Sequence, residues 1–421
     1  MLVVRRLVIY GGKPLYGTIP VQGSKNAALP ILAATLLTDE VCEIRNCPDL
    51  TDIHAAIRIL KSLGARVTFD GGVVRVCAAG ADKSTISDDL MCLMRSSVMF
   101  LGPILSRCRQ ASITYPGGCA LGARPIDLHL RSMQTLGVEF QEKGESIHAR
   151  LDRFSPQTVT LMFPSVGATE NLLLLCAISK GETQIINAAC EPEIVDLQNF
   201  LNAMGADICG AGTDVIQIRG VEKLHGCSHT VIPDRIVAAT YACAAAACSG
   251  NIQLTHVEPS HLSMFLAILR EMGGETDVRG ETLRVRMRQR PMAVGTVKTL
   301  PYPGFPTDMQ PLLMAALLKS AGTTMFTETI FENRFQQVGE LLRMGADIHV
   351  ENRNAQVRGV NELYGAKVEA ADLRGGAALA IAGLSARGRT SIGGLCYVER
   401  GYENLAQNLR ALGADAELIE T

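Results

Sequence analysis

A chain of 421 residues is long for one hydrophobic core, so two domains are its natural division, and a formal charge of −2 from 40 basic and 42 acidic residues argues against nucleic acid as a partner. With 47% apolar residues, no Trp and only 5% aromatics, the composition suits aliphatic helices packed on sheets and excludes a disordered chain. Thirteen cysteines, an odd number without a C-x-x-C pair, signal neither a disulfide framework nor a zinc site, and the expected setting is a reducing cytoplasm.

The first ten residues carry Arg5 and Arg6 but run into Gly11-Gly12 instead of an apolar segment with a cleavage site, so no secretion signal is read. From there the chain repeats one unit six times. The mark is a helix end: Lys-Ser-Leu-Gly-Ala at Gly64, Gln-Thr-Leu-Gly-Val at Gly137, Asn-Ala-Met-Gly-Ala at Gly205, Arg-Glu-Met-Gly-Gly at Gly273, Leu-Arg-Met-Gly-Ala at Gly345 and Arg-Ala-Leu-Gly-Ala at Gly413. A spacing of about 70 residues is too long for a solenoid and fits a small α/β unit, with each glycine as the residue past a helix C-terminus.

Apolar spacing predicts two helices per unit. They are 26–37 with 53–63, 90–105 with 126–136, 165–179 with 194–204, 234–248 with 262–272, 307–317 with one running from Phe335 to Gly345, and 373–384 with 402–412. Strands fill the intervals, as at 323–330 and 111–115. The first helices are apolar nearly all round, which predicts burial, and runs such as 172–178 and 242–247 are too short to span a bilayer, so no membrane partner is expected. Six units in two domains place three in each, helices inside and sheets outside. The seam is expected after the third copy, at the polar stretch 222–228, with the fourth copy starting at Pro233.

Polar residues collect where first helices begin: Lys25-Asn26, Arg95, Ser165-Val166-Gly167, Asp234-Arg235, Thr307-Asp308 and Asp372-Leu373-Arg374. One base at a positive helix end is ordinarily solvated or salt-bridged. Five or six at equivalent points of a repeat, with Arg124 and Arg400, favour a multiply anionic substrate. Asp308 reads as an N-cap worth about 1 kcal/mol, a place Asn would fill as well, and also as a carboxylate able to take a proton from a hydroxyl. His129 is as much a packing residue as a ligand contact, and Ser165-Val166-Gly167 is a phosphate or uracil contact through its backbone or simply a helix start. Residues 116–124, Pro-Gly-Gly-Cys-Ala-Leu-Gly-Ala-Arg, form a glycine-rich loop exposing Cys119 and leading into Pro125, a good first-turn residue for the helix after it. No Walker loop, Rossmann fingerprint or nucleophile elbow is present.

These stretches together resemble the UDP-N-acetylglucosamine 1-carboxyvinyltransferases of the enolpyruvyl transferase family. The resemblance is carried by Gly-Ser-Lys25-Asn26-Ala-Ala-Leu-Pro, Met-Arg95-Ser-Ser, the Cys119 loop through Arg124-Pro125, Pro-Ser165-Val166-Gly-Ala-Thr, Phe-Pro-Thr-Asp308-Met-Gln, Phe-Glu-Asn-Arg334-Phe and Glu-Arg400-Gly-Tyr-Glu, in that order along nearly the whole chain. It implies an α/β fold, the inverted α/β barrel of two domains with three repeated units each: 22–232 as the first, 1–21 with 233–421 as the second, and the active site in the cleft between them. It also implies transfer of the enolpyruvyl group of phosphoenolpyruvate to the 3-hydroxyl of UDP-N-acetylglucosamine, the first committed step of peptidoglycan synthesis, without cofactor or metal. On this resemblance Cys119 is the proton donor, Asp308 the base, and Lys25, Arg124 and Arg400 hold phosphoenolpyruvate with Asn26 and Arg374. Arg95, Arg124, Pro125, Ile126, Asp127, Leu128, Ser165 and Val166 hold UDP, and Asp308 and Ile330 touch the amino sugar. Phe163 stands where some members carry Lys, so no salt bridge to UDP is expected there. The alternatives are a shikimate 3-phosphate enolpyruvyl transferase, which has Lys-Ser for Lys-Asn and lacks the cysteine loop, and a silent UDP-sugar-binding paralogue.

Overall fold

The structure, a computed structural model, describes residues 5–117 and 126–420, so Cys119, Arg124 and Pro125 lie outside the described residues. Six sheets are formed among those described, five of four strands and one of three. In the first repeat the strand after the first helix, Val41–Arg45, pairs in parallel with the edge strand Ser228–Thr230 and antiparallel with Val73–Cys77, which closes a hairpin with Arg66–Asp70. The same order holds in three more sheets. They are Thr158–Thr160, Gly181–Ile186, Val215–Gly220, Asp207–Cys209; Tyr16–Pro20, Asn251–Thr255, Thr282–Arg286, Glu275–Arg279; and Thr296–Lys298, Thr323–Thr327, Asn354–Arg358, Asp347–Glu351. Burial alternates along such strands, as in Asn354–Arg358, because one face rests on helices and the other meets water.

Two repeats depart from this order. In the second, the parallel edge strand shrinks to a single bridge between Thr85 and Ser112, leaving Gln110–Thr114, Ser146–Arg150 and Glu139–Lys143. In the sixth, the hairpin is cut open. Its inner strand is Arg5–Tyr10, lying antiparallel between Arg389–Gly393 and Asp415–Glu420, with Lys367–Glu369 as the parallel edge.

All six signature glycines adopt the left-handed conformation, with φ between 85° and 109° at Gly413, Gly273, Gly345, Gly137, Gly205 and Gly64. A side chain there would bring its Cβ against the carbonyl oxygen, and this local demand is why the motif recurs at each helix end. The first helices are Lys25–Ala34 with the 3-10 turn Thr35–Leu37, Val166–Cys176, Arg235–Ala247, the turn Thr307–Met309 leading into Gln310–Leu317, and Leu373–Ser385. Four of them are capped by the residue just before. Ser24 and Ser165 accept from the amides of Ala27 and Ala168, while Asp234 and Asp372 each accept from two amides.

The expected helix 90–105 is instead three pieces, Asp88–Met91, Arg95–Phe100 and Leu101–Cys108. Met94 is extended between them, and the Ser97 hydroxyl takes up the freed carbonyls of Met91 and Met94. The helix expected from Phe335 begins only at Val338, and that expected from residue 402 only at Leu405.

By contact the described residues from Gly23 to Ile232 form one compact unit, and those up to Gln22 with those from Pro233 onward form another. Each has its own apolar core. In the second unit Arg235–Ala247, Gln310–Leu317 and Leu373–Ser385 pack against one another, so none keeps a solvent face, which accounts for helices apolar all round. Residues 222–228, expected as the seam, belong to the first unit, and Ser228 already begins its edge strand.

Candidate active site

In the second unit the chemistry gathers on Asp308. The reading of Asp308 as an N-cap is corrected: it lies within the turn Thr307–Met309, whose capping position is Pro306 and has no side-chain cap. Its carboxylate is held by two arginines that are almost entirely buried. Arg334 donates from Nη2 to Oδ1 at 2.8 Å, and Arg374 donates to Oδ2 from Nε at 3.3 Å and Nη2 at 3.2 Å. Arg334 also donates twice to the Thr307 carbonyl, which fixes the backbone that carries the acid. Of the three side chains, Arg334 is 1% exposed, Arg374 3% and Asp308 29%, so the carboxylate is the member that solvent or a ligand can reach.

Arg374 starts from the Asp372-capped helix end and also donates to the Tyr402 hydroxyl at 3.2 Å. Burial alone would lower its guanidinium, but Tyr402, then Asp308 and Asp234, outweigh it and raise the group above its ordinary value. Arg374 is thus a permanent cation whose counter-charge comes from the chain itself.

Glu328, 1% exposed, ties the same region together. One carboxylate oxygen accepts from the Thr299 hydroxyl and from the amides of Ile330 and Phe331, and the other accepts from the Thr307 hydroxyl at 3.0 Å. The Ile330 amide is therefore already engaged, which leaves its half-exposed side chain and its carbonyl to meet a ligand. Arg400 is half-buried in the turn after Leu395–Val398, its amide donating to the Tyr397 carbonyl at 3.4 Å.

In the first unit Lys25 opens its helix behind the cap Ser24, and its ammonium lies 3.1 Å from Asp52, a carboxylate 2% exposed in the first turn of Thr51–Leu63. Such a pair fixes the lysine head where a lone ammonium would swing. Asn26 is half-buried one residue along.

The residues expected to hold a nucleotide gather around His129. Its ring accepts at Nδ1 from the Asn171 amide at 2.8 Å, which leaves Nε2 as the protonated nitrogen, and Asn171 is itself fixed by the Val98 carbonyl and the Gly102 amide. Burial, then the charge of Arg95, lowers His129 to about 4 against a smaller opposite pull from Asp127, so the ring is neutral at pH 7. A Cβ on Gly167 would stand 2.9 Å from the His129 ring, so only glycine admits this approach. Arg95, Asp127 and the Ser165–Gly167 turn thus share one neighbourhood. The Ser165 hydroxyl accepts the capping bond from Ala168, so its own proton, the backbone and Val166 remain for a ligand.

The helix expected at 126–136 is Asp127–Thr135, with Ile126 at its capping position. The Ile126 side chain belongs to the core, which leaves only its backbone free to face a ligand, whereas Leu128 is partly exposed. The expected roles of Cys119, Arg124 and Pro125 fall outside the described residues.

Asp52, Glu328 and Asn171 were given no role in the sequence, nor was Arg334 beyond its place in a motif. Asn171 had a signal, an amide heading the apolar run Leu-Leu-Leu-Leu, and so did Glu328, a lone acid closing a strand of Thr and apolar residues. Among the described residues no group of three or more His, Cys, Asp or Glu could hold a metal ion, and no helix is long and apolar enough to cross a membrane.

Residues 9–409 match the family described as EPSP synthase (3-phosphoshikimate 1-carboxyvinyltransferase). A UDP-N-acetylglucosamine 1-carboxyvinyltransferase 2 of Caldanaerobacter subterraneus subsp. tengcongensis is 49% identical over 407 residues, 97% of this chain and 98% of that one. Its namesake in Carboxydothermus hydrogenoformans is 47% identical over 420 residues, 99% of this chain and 100% of that one. Among solved structures, the enolpyruvyl transferase NikO from Streptomyces tendae superposes with a TM-score of 0.90 at 26% identity, each chain covered fully. An EPSP synthase from Acinetobacter baumannii shares the fold, with a TM-score of 0.74 at 18% identity over 99% of this chain and 100% of that one.

Proposed function

The chain belongs to the EPSP synthase family, and from that premise we propose that it transfers the enolpyruvyl group of phosphoenolpyruvate to the 3-hydroxyl of UDP-N-acetylglucosamine, releasing phosphate. The observation that carries this reading is identity of 46 to 49% sustained over 97 to 99% of the chain with relatives named for that reaction. The product is the first committed precursor of peptidoglycan, so the enzyme serves wall synthesis from the cytoplasm.

The addition needs a proton removed from the sugar hydroxyl, a proton delivered to carbon 3 of the enol, and charge held at phosphate and carboxylate. Asp308 takes the first, and its role is supported by its being the reachable member of an otherwise buried ion cluster. Cys119 gives the second. The hydroxyl oxygen bonds to carbon 2, and the tetrahedral intermediate expels phosphate. Lys25, Arg124 and Arg400 hold the anionic groups, and preorganised cations of this kind stabilise charge without reorganising during the reaction. Arg374 steadies Asp308, Asn26 and Ile330 contact the sugar, and Arg95, Arg124, Pro125, Ile126, Asp127, Leu128, Ser165 and Val166 hold UDP.

The test is phosphate release from phosphoenolpyruvate, measured once with UDP-N-acetylglucosamine and once with shikimate 3-phosphate. Turnover with the first alone is expected. Turnover with the second alone would reassign the acceptor, and none with either, with the sugar nucleotide still bound, would favour a silent binding protein.

A further inference from the structure

Two cysteines of the first unit, neither given a role so far, lie side by side in one sheet. Cys42 is in the strand Val41–Arg45, and Cys227 directly precedes Ser228–Thr230, the edge strand paired with it in parallel. The register sets Ser228 against Glu43 and His229 against Ile44, and one step back it sets Cys227 against Cys42. The Glu43 amide donates to the Cys227 carbonyl at 2.9 Å, which holds that step in place. Residues so paired stand about 4.8 Å apart with side chains on one face, inside the separation of about 4.4–6.8 Å that a disulfide spans.

Each thiol is the strongest influence on the other, Cys42 being drawn below its ordinary value and Cys227 pushed up. Cys42 is fully buried in the first unit's core, while Cys227 is partly exposed at its rim. One thiol can be reached from solvent, and the other waits behind it.

We propose that Cys42 and Cys227 form a redox modification site, a dithiol that a small disulfide such as oxidised glutathione converts reversibly into an intramolecular bridge. Cys227 is the sulfur a small disulfide can reach, so although its proton is the more tightly held of the two it attacks first, passing that proton to the departing small thiol and forming a mixed disulfide. The Cys42 sulfur then loses its proton and attacks Cys227, displacing the second small thiol. Two protein thiols are oxidised, one small disulfide is reduced to two thiols, and the two protons pass to the leaving groups. An odd cysteine total speaks against a full disulfide framework but not against one such pair.

The bridge joins the two ends of the unit. Cys42 follows the helix that Lys25 opens, and Cys227 leads to Ile232, whose carbonyl accepts from the amide of Ser24, the cap of that helix, at 2.7 Å. Oxidation therefore closes the unit into a covalent ring beside the frame that holds Lys25. This inference is independent of the reaction the enzyme catalyses.

Trypsin separates the two thiols cleanly, because residues 26–45 and 224–235 are tryptic peptides with one cysteine each. Full-length protein is equilibrated in graded ratios of oxidised to reduced glutathione, quenched by alkylation, unfolded, digested and analysed by mass spectrometry. The expected product is the linked pair, two hydrogens lighter than its parts, lost on reduction and absent in both Cys42→Ser and Cys227→Ser. The oxidised protein should melt roughly 5 °C above the reduced one, and the two serine variants should show no such shift. Persistent alkylation of both cysteines at ratios that glutathionylate other thiols, a Cys227–glutathione adduct that never resolves, or a linked pair without a rise in melting temperature would each overturn the proposal.

Discussion

The two units bury ionisable groups in opposite ways. In the second unit Arg334 and Arg374 are buried as cations, and Asp308 is placed between them to balance their charge. In the first unit, beside the buried pair of Lys25 and Asp52, two titratable groups are instead buried neutral. His129 gives up its proton, and Glu170 keeps one, because burial, then Glu193 and Glu191, push its carboxyl well above its ordinary range. A charged cluster fixes geometry but makes each member dependent on the others, whereas a neutral group is cheap to bury and leaves stability dependent on pH.

The largest effect should come from breaking the charged cluster. The cap reading would let Asn replace Asp308 at no cost to the fold. The observed cluster predicts otherwise, because Asp308→Asn leaves two buried guanidiniums without a carboxylate and should cost about 3 kcal/mol in urea denaturation. Turnover should fall by about a thousandfold with the base removed. Unchanged stability would mean that the arginines do not depend on Asp308.

His129 should lower stability on acidification. Between 6.5 and about 4 the unfolded chain binds a proton that the fold refuses, so stability is complete above pH 6.5 and declines as pH falls through that window. The loss approaches about 3 kcal/mol by pH 4. His129→Gln should flatten that limb of the urea-denaturation profile. Parallel profiles for parent and variant would show that the ring takes up its proton inside the fold.

The signature glycines sharpen the contrast from another side. A Cβ on Gly64 would stand 2.3 Å from the Gly80 carbonyl oxygen and one on Gly137 2.4 Å from that of Arg153, whereas one on Gly273 meets nothing within 4 Å. Gly273→Ala should cost about 1 kcal/mol, from its positive φ alone. Gly64→Ala should cost about 3 kcal/mol, because backbone must also move. Equal melting temperatures for the two variants would remove this difference between the units.

The smallest change is expected at Glu170. Since the fold favours the protonated acid, stability falls as pH rises above the ordinary value of 4.5. Glu170→Gln should therefore raise the melting temperature at pH 8 and leave it unchanged near pH 4.5. An increase of equal size at both would trace the effect to packing instead.

What could be read in the sequence was what a short stretch dictates by itself. The six helix ends were legible because a left-handed residue past a helix demands glycine wherever it occurs, and the all-round apolar first helices because burial on every side permits nothing else. The break after Met91 was also local, signalled by the polar run Arg95-Ser96-Ser97, but apolar periodicity on both sides outweighed it. The partners of Asp308 were not legible. Arg334 and Arg374 come from 26 and 66 residues away, and no spacing rule connects them to it. Asp308 was read as a cap as well as a base, because the apolar helix after it offered the carboxylate a structural place and nothing nearby revealed the arginines. Lys25 with Asp52 and His129 with Asn171 escaped for the same reason, since each pairing exists only once separate helices have packed.

The opened hairpin of the sixth repeat has a consequence for synthesis on the ribosome. The unit from Gly23 to Ile232 is drawn from one stretch of chain, so its sheets can close soon after residue 232 emerges. The strand Arg5–Tyr10 is made before the whole of that unit, yet its partners Arg389–Gly393 and Asp415–Glu420 are made after it. It must wait through the birth of a whole folded unit with its edges unpaired, which is the kind of segment that invites aggregation. The paired charges Arg5 and Arg6 on this strand are suited to that interval: after folding they bind Glu399 and Glu369, and before it they keep a β-forming segment soluble. The order of translation thus makes the first unit the early folder and the second the late one, closed by a strand made before the first unit began.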